Sequence, residues 1–123
     1  MDLLLDTHTF LWWDSQDSNL PAAFHTAIES PDNNVYVSAA TVWEIAIKRA
    51  SGKLVFSGSA ARSIAGHGFS PLPITVEHAE RAGSLPSLHR DSFDRLLVAQ
   101  ASLENLILVT VDQQILRYKI PHL

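Results

Sequence analysis

"MDLLLDTHTF" (residues 1–10) opens the chain and decides its fold class. Residues 2–5 (DLLL) predict a short buried strand, and Asp6 or Thr7 can cap a helix that begins directly after it. A strand that runs straight into a helix is typical of α/β proteins. The same stretch raises a functional question, because the buried strand ends on the carboxylate of Asp6.

The strand-to-helix pattern repeats along the chain. Residues 35–38 (VYVS) predict a second strand, and Ser38 is a suitable cap for a helix over 39–50. The segment 69–75 (FSPLPIT) is extended because its two prolines forbid a helix, which suits an edge strand. Residues 105–110 (NLILVT) form the most continuous β-branched and leucine run, which predicts a central buried strand. This alternation predicts a three-layer α/β/α domain with a central, mainly parallel sheet of four or five strands.

Further helices are predicted from capping residues and helical spacing. In chain order they begin at Pro21, Ser59, Thr75 and Asp91, and a last short helix is opened by Thr110 and Asp112.

Size and composition limit the classes that the chain can belong to. With 123 residues it has the size of one ordinary domain, and we expect a single domain over residues 1–123. The sequence contains no cysteine, which excludes disulfides, thiol nucleophiles and thiolate zinc sites and suits a reducing compartment. No apolar run approaches the roughly 20 residues of a membrane span, and no basic leader precedes a hydrophobic segment. We therefore expect a cytoplasmic protein with no membrane partner.

The formal net charge is −4, so the surface as a whole does not attract nucleic acid. A polyanionic partner would have to be held by a local basic patch, a metal ion or a second subunit.

Four carboxylates fall where an α/β sheet places its ligands. Asp6 ends the first strand and Asp112 lies just past the strand over 105–110, so both belong to the edge where ligands bind in parallel sheets. Glu44 lies in the second turn of the helix over 39–50, and Asp94 lies in the first turn of the helix that Asp91 caps. If that helix starts at the same edge, the four carboxylates converge.

Each of these acids also has a local explanation. Asp6 can cap a helix, Asp94 can complete a capping box with Asp91, Asp112 can favour a helix dipole, and Glu44 can pair with a lysine one turn later. The coincidence of four like charges is more informative than any member, because their repulsion is offset by raised pKa values or by a bound cation. Oxygen ligands without thiolates point to Mg²⁺, or to Mn²⁺, rather than to zinc.

Four separated blocks of the sequence carry a family resemblance. They are LLLDTH (3–8), VSAATVWEIAIKRASGKL (37–54), HRDSFDRLLVAQA (89–101) and LVTVD (108–112). In this order and in a chain of this length, they resemble the PIN-domain ribonucleases of the VapC toxin type. The resemblance spans nearly the whole chain, although Ser92 stands where many relatives have proline.

The resemblance implies a role for each of the four acids. Asp6 would be the first metal-binding acid, Glu44 the second, Asp94 the third and Asp112 the fourth, acting as the catalytic and metal-binding set. The auxiliary candidates are Asp91 and Thr110, with Thr7 as an alternative to Thr110; all three also have good reasons to exist as caps.

The resemblance also implies an activity and partners. The activity is Mg²⁺-dependent endonucleolytic cleavage of RNA phosphodiester bonds that leaves a 5′-phosphate. The partners are the RNA substrate, a second copy of the chain in a homodimer, and a small cognate antitoxin that covers the active site.

Other residues near the acids are open to two explanations. Candidates to line an RNA groove are Lys48, Arg49, Lys53, Arg90 and Arg95, although a solvated or salt-bridged surface role explains each equally well. His8 and His89 flank acid positions, and we leave both outside the catalytic set. Core packing explains Trp43, whereas one of the adjacent pair Trp12 and Trp13 is expected in the core and the other in an interface.

Alternative functions fit the sequence less well. A receiver-type metal-binding module would have adjacent acids after the first strand and a lysine after a late strand, and neither is present. A haloacid-dehalogenase-type phosphatase would have an aspartate at position 8, where His8 stands. No phosphate-binding glycine loop of the G-x-x-x-x-G-K-[ST] type is found, which disfavours an NTPase. A non-catalytic PIN-domain scaffold stays open, but it would give no reason for all four acids.

Overall fold

A computed structural model describes residues 1–123. Its elements, in chain order, are β1 (Asp2–Leu5), α1 (Thr7–Ser15), α2 (Ala22–Glu29), β2 (Asn34–Ser38), α3 (Ala39–Ala50), α4 (Ala60–Gly66), β3 (Ser70–Leu72), α5 (Val76–Ser84), α6 (Ser92–Glu104), β4 (Ile107–Val109) and a 3₁₀ turn (Ile115–Arg117). The four strands are parallel and lie in the order β3-β2-β1-β4. None of the helices combines the length and apolar character that a membrane span needs.

The central strand β1 is apolar on both faces because both faces are covered. Leu3 and Leu5 pack into a core with Phe10 of α1 and Ile64 of α4. Leu4 points to the opposite face and packs into a second core, to which α6 contributes Leu97, Val98 and Ala101. Two cores on the two faces of one parallel sheet make a three-layer α/β/α domain, as the sequence predicts.

The strand β4 lies at an edge of the sheet, so the prediction of a central strand over 105–110 is wrong. It is nevertheless shielded from solvent, because the C-terminal segment runs along its outer side. Leu108 N donates to Pro121 O at 3.1 Å, and Leu123 N donates to Leu108 O at 2.9 Å. The apolar composition of β4 indicates that the strand is buried. It does not indicate a central position, because a strand at a covered edge is buried as well. The edge position predicted for 69–75 is confirmed by β3.

Two smaller predictions also need correction. The helix expected to open at Thr110 and Asp112 is only the 3₁₀ turn over Ile115–Arg117, because two side-chain turns use the preceding backbone amides. Thr110 Oγ1 accepts from Asp112 N, and Asp112 Oδ1 accepts from Gln114 N. Trp43 is 57% exposed instead of lying in the core, and its ring packs in a T-shaped arrangement with the ring of Phe93.

The topology brings three chain segments to one edge of the sheet. Since all strands are parallel, the carboxyl ends of β1, β2 and β4 point the same way. Asp6 follows β1, the helix α3 begins directly after β2, and Thr110 follows β4. Asp6 N donates to Val109 O at 3.2 Å, which fixes the first and last of these segments together.

Candidate active site

A cavity of about 220 Å³ opens at this edge of the sheet, and its polar lining is almost entirely charged. All four acids selected from the sequence line it, together with the auxiliary candidate Asp91. The other polar lining residues are Thr7, His8, Lys48 and Lys53. The four acids can converge only if the helix carrying Asp94 starts at the same edge as Asp6, and α6 does start there.

Asp6 is held at the buried end of the cavity, with 3% of the residue exposed. It is the N-cap of α1, since Oδ1 accepts from Thr9 N at 2.8 Å. Its second oxygen, Oδ2, accepts from Thr110 Oγ1 at 2.6 Å. Burial raises the pKa of Asp6 above its ordinary value, and the hydrogen bonds from Thr110 and Thr9 oppose that rise. The capping explanation and the site explanation therefore both hold for this residue.

Glu44 projects from the second turn of α3 and is also buried. Its Oε1 accepts from Thr7 Oγ1 at 2.7 Å, and Thr7 Oγ1 lies 3.1 Å from Thr41 Oγ1. Its Oε2 accepts from Lys48 Nζ at 2.6 Å, which is the pairing with the next turn that the sequence suggests. The hydrogen bond with Glu44 raises the pKa of Lys48, and the negative charges of Asp91 and Asp94 add to the rise. The cavity therefore already contains one cation of its own.

Asp94 is the acid whose ionisation reports most clearly on the cluster. Its pKa is raised to about 6, chiefly by burial and in smaller part by the negative charges of Asp91, Asp112 and Glu44, against a hydrogen bond from His89 that lowers it. The approach of like charges is therefore felt at this carboxyl group. Asp91 N-caps α6 by accepting from Asp94 N at 2.9 Å. The predicted capping box is only half formed, because the Asp94 carboxylate bonds to His89 instead of to the backbone of Asp91.

The remaining candidates have separate positions. Thr110 is buried behind Asp6, outside the lining, and Asp112 is half-buried in it. Of the basic candidates, only Lys48 and Lys53 line the cavity. Arg49 instead donates to the carbonyls of Phe56 and Gly58, and Arg95 to several carbonyls before α6.

The donor set suits a hard divalent cation by its chemistry. Only oxygen atoms are offered by the acids, and Asp94 lies close enough to Asp91, Asp112 and Glu44 for their negative charges to add to the rise in its pKa that burial causes. A cation would offset this repulsion. No group of three or more His, Asp or Glu side chains is arranged to hold a metal ion in this structure. Internal partners account for part of this, because Lys48 holds Glu44 and Thr110 holds Asp6. The residues of the cavity therefore fit a divalent cation by their ligand type and their charge, and not by their present arrangement.

Sequence reasoning missed two residues that belong to this site. The ring nitrogen Nε2 of His89, a residue outside the set predicted from the sequence, lies 3.1 Å from Asp94 Oδ2. The hydroxyl of Tyr118, which no sequence pattern points to, lies 3.2 Å from the other nitrogen of the same ring. No local pattern links Tyr118 to Asp94, because the contact depends on how the segment after β4 folds back against α6.

The largest cavity of the molecule, about 960 Å³, lies elsewhere, between the end of α1 and α2. Its histidines are paired within the chain, His67 with Asp14 at 2.8 Å and His25 with Glu29 at 3.1 Å. It contains no concentration of unpaired acids or bases. The smaller acidic cavity is therefore the better candidate for catalysis, since chemistry depends on the groups present and not on the volume.

Comparison with known proteins identifies the family. The family model described as the PIN domain matches residues 3–121. No protein of curated function matches the sequence.

Solved structures share the fold at low sequence identity. VapBC2 from Rickettsia felis, bound to a DNA fragment from its promoter, has a TM-score of 0.71 and 15% identity over 100% of this chain and 98% of that chain. A toxin–antitoxin complex from Klebsiella pneumoniae has a TM-score of 0.68 and 19% identity, with coverage of 98% and 95%. PAE2754 from Pyrobaculum aerophilum has a TM-score of 0.63 and 17% identity, with coverage of 99% and 83%.

Proposed function

The chain belongs to the PIN domain family, and from this premise we propose that it is a Mg²⁺-dependent endoribonuclease and the toxin of a toxin–antitoxin pair. The observation that carries the proposal is the arrangement of Asp6, Glu44, Asp94 and Asp112 around one cavity. The similar solved structures include toxin–antitoxin complexes, which supports the same assignment.

The four acids would hold the cation, with Asp91 and Thr110 as auxiliary groups and Mn²⁺ as an alternative to Mg²⁺. When bound, the cation supplies a Lewis acid that neutralises charge on the phosphoryl oxygens and lowers the pKa of water. Asp6 and Glu44 are buried, and hydrogen bonds fix both oxygens of each. Asp94 and Asp112 each use only one oxygen within the chain, so each keeps a second oxygen for a ligand.

Lys48 and Lys53 would contact the RNA phosphate next to the scissile bond. They are the only basic side chains that line the cavity apart from His8. Both side chains are exposed. Lys53 has a flexible stem that suits the binding of a polyanion, and Lys48 would contact the phosphate while its Nζ also pairs with Glu44. This local pair would attract RNA phosphate to the cavity although the net charge of the chain is −4.

The partners follow from the same assignment. A small cognate antitoxin would cover the acidic cavity and block access of RNA to Lys48 and Lys53. We further propose that residues 1–123 act as a single domain and that the protein forms a homodimer.

The proposal is tested by incubating purified protein with total RNA, with Mg²⁺, with Mn²⁺ and with a chelator, and by mapping the new ends. We expect internal cuts that carry a 5′-phosphate, that need the divalent ion and that stop when Asp6 is replaced by Asn. The protein must first be shown by mass spectrometry to be free of bound antitoxin. No metal-dependent cut in such a preparation would contradict the nuclease assignment and favour a non-catalytic scaffold.

A further inference from the structure

The segment between α5 and α6 is fixed by one arginine. Arg95 Nη2 donates to Ala82 O at 2.9 Å and to Leu85 O at 3.0 Å. Its Nη1 donates to Pro86 O at 3.0 Å and to the hydroxyl of Tyr118 at 3.2 Å. The guanidinium therefore ties the chain before α6 to the segment after β4, and charge-assisted hydrogen bonds of this kind are stronger than neutral ones.

His89 lies within this fixed segment, between an acid of the site and the tyrosine. Nε2 is 3.1 Å from Asp94 Oδ2, and Nδ1 is 3.2 Å from the hydroxyl of Tyr118. The rings of His89 and Tyr118 meet edge to face, with centroids 5.7 Å apart. Only 12% of the His89 side chain is exposed, so both ring nitrogens are committed to these partners.

The partners determine which nitrogen carries the proton. An ionised Asp94 carboxylate can only accept a hydrogen bond, so Nε2 of a neutral His89 must be the donor. Nδ1 is then an acceptor, and the Tyr118 hydroxyl can donate to it at 3.2 Å, which is nearer than its alternative acceptor, Pro86 O, at 3.5 Å. Arg95 Nη1 donates to the oxygen of Tyr118, so this oxygen already serves as an acceptor and its own proton is available for Nδ1. The three hydrogen bonds therefore run in one direction, with each group donating to the next, from Arg95 through Tyr118 and His89 to Asp94.

We propose that His89 is the positioning residue of Asp94, and that Tyr118 and Arg95 fix its ring so that Nε2–H holds one carboxylate oxygen and leaves the other to the cavity. The inference rests on the proposed function. No hydrogen bond within the chain reaches Asp94 Oδ1. Without His89, repulsion from Asp91, Asp112 and Glu44 would be free to turn the carboxylate away.

A positioning role and a purely structural role predict different results for substitutions of His89. Gln at position 89 carries an amide donor near the place of Nε2, whereas Asn carries it near the place of Nδ1. Because both amides are equally polar, rescue by Gln and not by Asn would show that the position of the donor is what matters. Tyr118→Phe keeps the ring and its packing and removes only the hydroxyl that orients His89.

The experiment measures Mn²⁺ affinity without RNA, by titration calorimetry or electron paramagnetic resonance, and separately kcat and KM for RNA cleavage in Mg²⁺. For H89A and H89N we expect metal affinity and kcat to fall about 10- to 100-fold, the usual cost of removing a group that orients a metal ligand, with KM for RNA little changed. H89Q should stay within about threefold of the unmodified protein, and Y118F should fall between the two groups. H25Q, at a histidine of α2 that does not line the acidic cavity, is the matched control and should change neither.

A second readout does not depend on metal or activity. Long-range ¹H–¹⁵N spectra of His89 at pH 8 should show the Nε2–H tautomer, and Y118F should show a mixture of tautomers. Equal loss in H89A, H89N and H89Q, or an Nδ1–H tautomer in the unmodified protein, would overturn the proposal. If the unmodified protein shows the expected tautomer but neither binds Mn²⁺ nor cleaves RNA, the proposed function itself is refuted, and the role assigned to His89 is refuted with it.

Discussion

Thr110 Oγ1 donates a hydrogen bond of 2.6 Å to Asp6 Oδ2, joining the ends of two neighbouring strands that are 104 residues apart in sequence. The same oxygen accepts from Asp112 N at 3.0 Å. One hydroxyl group therefore sets the relative position of two of the four candidate acids. Because Thr110 is buried, no water can take over the hydrogen bonds of its hydroxyl group. Loss of this hydroxyl should therefore lower both the stability and the activity of the protein.

Replacing Thr110 with Val, which keeps the shape and removes the hydroxyl, should destabilise the protein by about 1–3 kcal/mol, since a buried oxygen of Asp6 loses its partner. The pKa of Asp6 should rise further, because the hydrogen bond from Thr110 is the largest effect that opposes burial. Urea unfolding and RNA cleavage provide the measurements. Thr110→Ser is the matched control and should retain most of both properties; equal loss in Ser and Val would contradict this account.

Asp94→Asn should abolish cleavage and stabilise the protein at neutral pH. The folded-state pKa of Asp94, about 6, lies above the ordinary 3.8, so its contribution to stability is fully present below pH 3.8 and is lost as the pH rises through about 6. Asn cannot ionise, so the variant does not lose this stability as the pH rises. We expect a gain in unfolding free energy of about 1 kcal/mol at neutral pH, because the carboxyl group is partly solvated.

The measurement for Asp94→Asn is urea unfolding at several pH values between 3.5 and 8. The difference in unfolding free energy between Asp94→Asn and the unmodified protein should grow across the window from 3.8 to about 6 and stay level above it. The same measurement on Asp32→Asn, at an exposed acid far from the cavity, should show no such growth. A pH-independent difference for Asp94→Asn would contradict a raised pKa for Asp94 in the folded protein.

Lys48→Met should change RNA binding and metal requirement in opposite directions. Loss of a phosphate contact should raise KM for RNA about 10-fold, whereas loss of the cation that holds Glu44 should lower the Mg²⁺ concentration for half-maximal activity. Cleavage kinetics over a Mg²⁺ series separates the two effects. Lys119→Met, at an exposed lysine outside the cavity, is the control and should change neither. A parallel rise in both values would contradict the assignment of Lys48.

Gln100→Leu should separate stability from activity. Gln100 is buried beneath α5, where Oε1 accepts from Ser38 Oγ at 2.5 Å and Nε2 donates to Pro73 O at 3.2 Å. The substitution leaves the hydroxyl proton of Ser38 without its acceptor and Pro73 O without this donor, and it should cost about 1–3 kcal/mol in unfolding free energy. Cleavage at a temperature where the variant is folded should stay within about twofold, because none of these groups lines the cavity.

The sequence was sufficient for features that depend on local pattern. The alternation of strands and helices predicts the three layers, and the caps at Asp6, Ser38 and Asp91 predict where α1, α3 and α6 begin. The acids could be placed because parallel strands bring their carboxyl ends to one edge. Features that depend on distant segments could not be predicted in this way.

The edge position of β4 illustrates this limit, because its apolar composition reports burial without reporting that the last residues of the chain provide it. Trp43 illustrates it again, since an apolar residue on an amphipathic helix gives no sign of whether a neighbouring helix will cover it. The pair of His89 and Tyr118 is the third case, because 29 residues separate two side chains that meet only after α6 and β4 have packed.

The most direct test of the account is RNA cleavage and urea unfolding measured together on Asp6→Asn. Asn keeps the capping oxygen for Thr9, and its amide can donate to Thr110 Oγ1 in place of the hydrogen bond that Asp6 Oδ2 accepts from it. Because the substitution also removes a buried charge, the protein should be as stable as before or more so. We predict that metal-dependent cleavage falls below detection while the fold is retained. Cleavage in Mg²⁺ at the rate of the unmodified protein would contradict the claim that the acidic cavity is the active site.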